Sequence, residues 1–133
     1  AIPLGPDDDS LPTMSMHFNS QQGYVTTAMS LVRDGRLQLV DTVFTFDERV
    51  CGFERIQFPA FRAGERGDGP YADIVVTVTE ETKRTEEDCG AAELPAAGVR
   101  AVEVIYRWDA AQMRFLPDSD ALEVLARETE ARF

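Results

Sequence analysis

The chain has 133 residues, 44% of them hydrophobic, which suits one domain with a single core of its own. Its 24 acidic and 13 basic residues give a formal charge of -11. Such a surface repels phosphate backbones and anionic lipid heads, so nucleic acid and membrane are poor partners; a basic protein, a cationic peptide or a divalent cation fits the field better. No stretch approaches the roughly 18 apolar residues that cross a bilayer, so no membrane insertion is expected.

In chain order, residues 1–23 hold three prolines, the run Asp7-Asp8-Asp9 and no sustained periodicity, and read as an extended N-terminal segment. The remainder, 24–133, reads as one β-rich domain. Tyr24 to Val32 is strand-like, and Asp34-Gly35 separates it from Leu37-Gln38-Leu39-Val40, a strong short hairpin signal. On the return strand the apolar positions move from Leu37 and Leu39 to Val40, Phe44 and Phe46, which implies a bulge near Asp41 or burial on both faces. Ile56, Phe58 and Ala60 alternate with Arg55, Gln57 and Pro59 in a strand whose proline belongs at an edge or a strand end. The β-branched run Ile74 to Thr79 marks a central strand.

Val102, Val104, Tyr106 and Trp108 share one face of a further strand, which turns at Asp109 to Gln112 into Met113 to Leu116. The period then changes. Leu122, Leu125, Ala126 and Thr129 form a helical stripe, with Asp120 and Glu123 placed like a capping box. The expected fold is mainly β (α+β): an antiparallel sheet or sandwich of about six strands with one C-terminal helix.

The two cysteines, Cys51 and Cys89, flank a segment carrying two strands, so adjoining strand ends could bring them together in a disulfide. In the chain-entropy model, closing such a loop contributes roughly 4 kcal/mol. A disulfide implies an oxidising compartment. Ala1 at the start fits removal of a signal peptide after a small residue. Lys83 is the only lysine beside many arginines, as in a GC-rich bacterial genome. These features together point to a periplasmic or secreted location.

Catalytic constellations are sparse. His17 is the only histidine, so a nucleophile-base triad is not expected, and with both cysteines paired no zinc set can be assembled. No cofactor or metal is expected. Glu103 and Asp109, beside Tyr106 and Trp108, are the carboxylate pair that a glycoside hydrolase would use.

Residues 67–76, Gly67-Asp68-Gly69-Pro70-Tyr71-Ala72-Asp73-Ile74-Val75-Val76, resemble the turn-into-strand unit of FG-GAP or VCBS repeats. In that family an Asp-Gly calcium loop precedes an apolar strand. The resemblance covers a single copy, and the places that would supply further oxygen ligands hold Gly64 and Arg66. What carries over is turn chemistry, with Asp68 and Gly69 shaping a hairpin.

The leading functional expectation is a non-enzymatic protein-binding domain, an inhibitor or immunity-type protein for a basic partner. Its contact surface is placed on the loop from Gly64 to Pro70 and its flanking strands, through Phe58, Phe61, Arg66, Asp68 and Tyr71. The alternative is an accessory structural domain of a bacterial envelope assembly, paired through sheet edges. A hydrolase comes third.

Overall fold

The computed structural model describes residues 2–3, 9–18, 22–33, 35–66, 70–85 and 94–131, with side chains described for 23–32, 35–66, 70–85 and 94–131. Each strand pairs with its neighbour in sequence, always antiparallel, in one eight-stranded sheet. The strands are β1 (Ile2–Pro3), β2 (Asp9–Phe18), β3 (Gln22–Arg33), β4 (Arg36–Val50), β5 (Phe53–Arg66), β6 (Ala72–Arg84), β7 (Gly98–Asp109) and β8 (Arg114–Pro117), and one helix, α1 (Ala121–Glu130), follows. The architecture is the expected mainly-β sheet with a single C-terminal helix. Its strand count exceeds six because β1 and β2 lie within the segment read as a lead-in.

The first strong hairpin forms where Asp34-Gly35 placed it: Arg33 faces Arg36, and Gly35 takes φ +73°, a conformation that costs a residue without Cβ nothing. Asp34 itself lies outside the described residues. The bulge expected near Asp41 is present. Met29 faces Asp41 while Ser30 faces Leu39, so Val40 is the extra residue. The second hairpin turns through Met113 at φ +55°, whose carbonyl accepts a hydrogen bond from Gln38 Nε2 at 3.3 Å. That bond ties the start of β4 to the β7–β8 turn.

The sheet forks at its middle. β4 and β5 pair only between Asp47–Val50 and Phe53–Ile56, and beyond those four pairs β4 keeps only β3 and β5 keeps only β6 among the described residues. Helix α1 packs against both β4 and β7, across the gap. The core fills the space between: Met29, Leu31 and Val43 from one arm, Ile74, Val76, Val104 and Tyr106 from the other, and Leu125 from the helix, all close to fully buried. β6 is paired on both sides and buries Val75 as well as Ile74 and Val76, as a central strand should.

β5 reverses the expected facing. Gln57 is buried while Phe58 is 46% exposed, and Phe61 and Ala63 pack on the core, so the inward set is Gln57, Phe61 and Ala63. Pro59 sits opposite Val78 of β6, in the stretch of β5 that has no second strand partner, and its missing N–H costs no ladder bond on that side.

On α1 the stripe is as read: Leu125 and Thr129 are buried and Leu122 and Ala126 half-buried. Asp120 occupies the N-cap position without a side-chain capping bond; instead Ser119 Oγ accepts from the Ala121 N–H at 3.3 Å. Asp118 is drawn away to β7, where it accepts from the Ile105 N–H at 3.0 Å. The capping box therefore does not form.

Cys51 and Gly52 make the β4–β5 turn, with Gly52 at φ +101° and the Leu94 side chain packed where a Cβ would stand. The Thr85 N–H donates to the Gly52 carbonyl at 3.0 Å, and the Arg84 guanidinium donates to the Leu94 and Pro95 carbonyls at 3.1 and 3.3 Å. The segment containing Cys89 thus leaves and returns beside Cys51. Cys89 itself lies outside the described residues, among which no free cysteine occurs.

An apolar stripe beside an acidic cleft as the candidate functional site

Alternation along the β3–β4 hairpin sorts its side chains onto two faces. Thr27, Met29, Leu31, Val43 and Thr45 point inward and are buried. The opposite face carries Tyr24, Phe44, Leu39 and Leu37, set by the pairs Tyr24–Phe46, Thr26–Phe44, Ser30–Leu39 and Val32–Leu37. These four are among the most exposed large apolar side chains described, Leu37 at 67%, Leu39 at 61% and Phe44 at 44%. Single exposed apolar residues are ordinary on a surface, whereas here several share one hairpin face.

Phe44 also borders a cleft of about 390 Å³ between β4 and α1. Asp41, Glu123 and Glu130 supply carboxylates there, Arg127 one opposing charge, and Leu122 and Ala126 an apolar wall. A second hollow of about 290 Å³ adjoins it through Asp41 and Glu123 and adds Asp118 and Asp120. Carboxylates outnumber cations in this lining, which makes the local field negative. Among the described residues no group of three or more His, Cys, Asp or Glu side chains is arranged to hold a metal ion.

The floor is fixed by one hydrogen-bonded pair. The Tyr106 hydroxyl donates to Asp41 Oδ2 at 2.7 Å, and Asp41 Oδ1 accepts from the Thr42 N–H at 2.8 Å. Burial, then the bond to Asp41, then the charges of Asp41 and Glu123 hold the phenol far above its ordinary value. A raised folded value stabilises the native state fully below about pH 10, where an unfolded tyrosine ionises, and that contribution falls as pH rises further. Tyr106→Phe is expected to cost about 1 kcal/mol at neutral pH and to flatten the alkaline decline, as read from urea melts of both proteins across the alkaline range.

At the fork, Gln57 joins three elements. Its Oε1 accepts from the Phe46 N–H at 3.1 Å, and its Nε2 donates to Glu80 Oε2 at 2.7 Å and to Thr129 Oγ1 at 3.1 Å. Arg100 neutralises Glu80 from the surface at 3.0 Å and reaches Glu128 of α1 at 3.1 Å, bonds that raise its own pKa. Buried polar groups are inexpensive when satisfied in this way.

The structure does not gather the sequence-predicted contact residues into one surface. Phe58 points outward and Phe61 inward from the same strand. Tyr71 is 6% exposed, its ring 4.7 Å from Trp108 and 5.8 Å from Phe115, so it belongs to an aromatic cluster under β8 rather than to an interface. Arg66 is exposed and donates to the Pro70 carbonyl at 3.2 Å, bracing its own turn. Asp68, with the rest of the Asp-Gly turn at 67–69, lies outside the described residues, as does the side chain of His17. Glu103 and Asp109 stand six positions apart on β7, about 20 Å at strand rise, too far for the carboxylate separations of glycosidases. The stripe was legible as misplaced apolar residues around the bulge. The cleft was not, because it exists only where β4 and β5 part.

No protein-family model, curated protein or solved structure matches this chain. Among the described residues, no helix is long and apolar enough to cross a membrane.

Proposed function

We propose that this is a non-enzymatic protein-binding domain of the periplasm or the secreted fraction, which engages a basic protein partner through the Leu37, Leu39 and Phe44 stripe and the acidic cleft that opens beside Phe44. The observation that carries this reading is their junction at one residue: Phe44 belongs to both the exposed apolar face and the cleft wall. An apolar anchor flanked by unlike charge is the arrangement that gives interfaces affinity and steers encounter. Inhibition of, or immunity against, that partner is the function such a surface serves. The reading includes a Cys51–Cys89 disulfide, supported by the way Thr85 and Leu94 close the intervening segment on the Gly52 turn.

Affinity capture from an envelope extract of the source organism is expected to retain one stoichiometric basic protein. Leu39→Asp and Glu123→Lys are each expected to lower that retention at least about tenfold. Retention unchanged by both substitutions, or no basic protein retained at all, overturns the reading. An accessory role in an envelope assembly draws on the edge of β5 beyond Ile56, which among the described residues pairs with β6 but no longer with β4. Pro59 lies in that stretch and cannot donate to an added strand, which makes this the weaker reading.

A further inference from the structure

The wall of the acidic cleft is itself a sheet edge. Along an antiparallel strand, N–H and C=O groups alternate between the two sides, and both groups of one residue point the same way. The Phe46 N–H points away from β3, toward β5, where Gln57 Oε1 meets it; the Thr42 N–H also points away from β3 and is met by Asp41 Oδ1. Phe44 lies midway between them in the same alternation. Its N–H and C=O therefore face the cleft, and β5 has already parted from β4 there. The edge amides on either side are occupied by side chains, whereas Phe44 has no strand or side-chain partner on that edge among the described residues.

From this we infer that the cleft is a strand-addition site for an extended basic peptide segment. The segment pairs its backbone with the N–H and C=O of Phe44, between β4 and α1, and directs a cationic side chain to Glu123 and Glu130. Strand addition draws affinity from main-chain bonds and specificity from pockets for alternate side chains. Both parts are present: an unpaired edge residue, and a lining with carboxylates beside the apolar Leu122 and Ala126. At about 390 Å³ the space falls in the range that ligand clefts occupy. The inference rests on the binding reading above and adds the form of the partner: an extended segment rather than a helix or a flat surface.

The test titrates the full oxidised chain with a capped hexapeptide alternating arginine with valine, observed by amide resonances. Saturable shifts are expected at Phe44 and along Leu122 to Glu130. N-methylation of alternate peptide bonds, which keeps charge but removes main-chain donors, should weaken binding at least about tenfold. Phe44→Pro removes the edge N–H and Phe44→Ala keeps it, and both lose the ring, so the proline variant should bind at least about tenfold more weakly than the alanine variant. Equal binding of the methylated and unmethylated peptides by the wild-type chain overturns the inference even if the proline variant fails to fold, as does the absence of any shift at Phe44. Capture of a basic partner that depends on Leu39 and Glu123 would survive that result, so the two ideas fail separately.

Discussion

Replacing Gln57 with leucine is expected to lower folding stability by about 3 kcal/mol, seen as a reduced urea midpoint with unchanged slope. The side chain is buried and makes three hydrogen bonds, to the Phe46 N–H, to Glu80 and to Thr129. Leucine matches the volume approximately, so the loss is polar rather than a cavity. It removes the acceptor that Gln57 offers the Phe46 N–H at the point where β4 has just lost β5, and the donor that Gln57 gives the buried Glu80. Each unsatisfied buried group costs about 1–3 kcal/mol, more for a charged one. Gln57→Leu together with Glu80→Leu removes both halves of the main pair, and the double variant should lose less than the two single losses summed. Additive losses would show that Gln57 and Glu80 act independently.

Leu125→Ala is expected to cost about 3 kcal/mol, within the range for truncating a buried leucine. Leu125 is 3% exposed and is the helical member of the core cluster. Its loss loosens α1 more than the sheet, because it is the one fully buried apolar side chain among the described residues of the helix, leaving the half-buried Ala121 and Leu122 and the polar bonds of Thr129 and Glu128 to hold it. Hydrogen exchange should therefore accelerate along Val124 to Ala131 before it does in β6. The same loosening widens the cleft lined by Leu122 and Ala126. Uniform acceleration across β6 and α1 would instead show that the helix and sheet unfold as one unit.

How much of this was legible depended on whether the signal was local. Hairpin turns announce themselves: Asp34-Gly35, the β-branched run of β6, the alternation of β7 and the helical stripe of Leu122, Leu125 and Thr129 all arose from residues within a few positions of one another. The bulge at Val40 was equally visible, as a slip in apolar phase. β5 was misread because alternation cannot distinguish a buried glutamine from an exposed one. Gln57 faces inward since Phe46, Glu80 and Thr129, distant in sequence, each supply it a partner. The burial of Tyr71 was hidden for a related reason: an aromatic next to a turn looks exposed until Trp108 and Phe115 are seen beside it. The cleft depends on two strands separating after four pairs, an event set by tertiary packing and written in no single segment.

The neighbour-to-neighbour order of the strands also bears on how the chain folds. Contacts between sequential hairpins close short loops, which keeps contact order low for a β protein and favours rapid pairing. The bond from Gln57 to Thr129 is of the other kind, spanning 72 positions. It requires both arms of the fork and α1 to be in place, so Gln57→Leu is expected to speed unfolding more than it slows folding, as read from the two arms of a chevron plot. Interactions absent from the transition state slow unfolding without hastening folding. The polar seam at the fork therefore acts as a kinetic latch, setting how long the domain, once folded, stays closed.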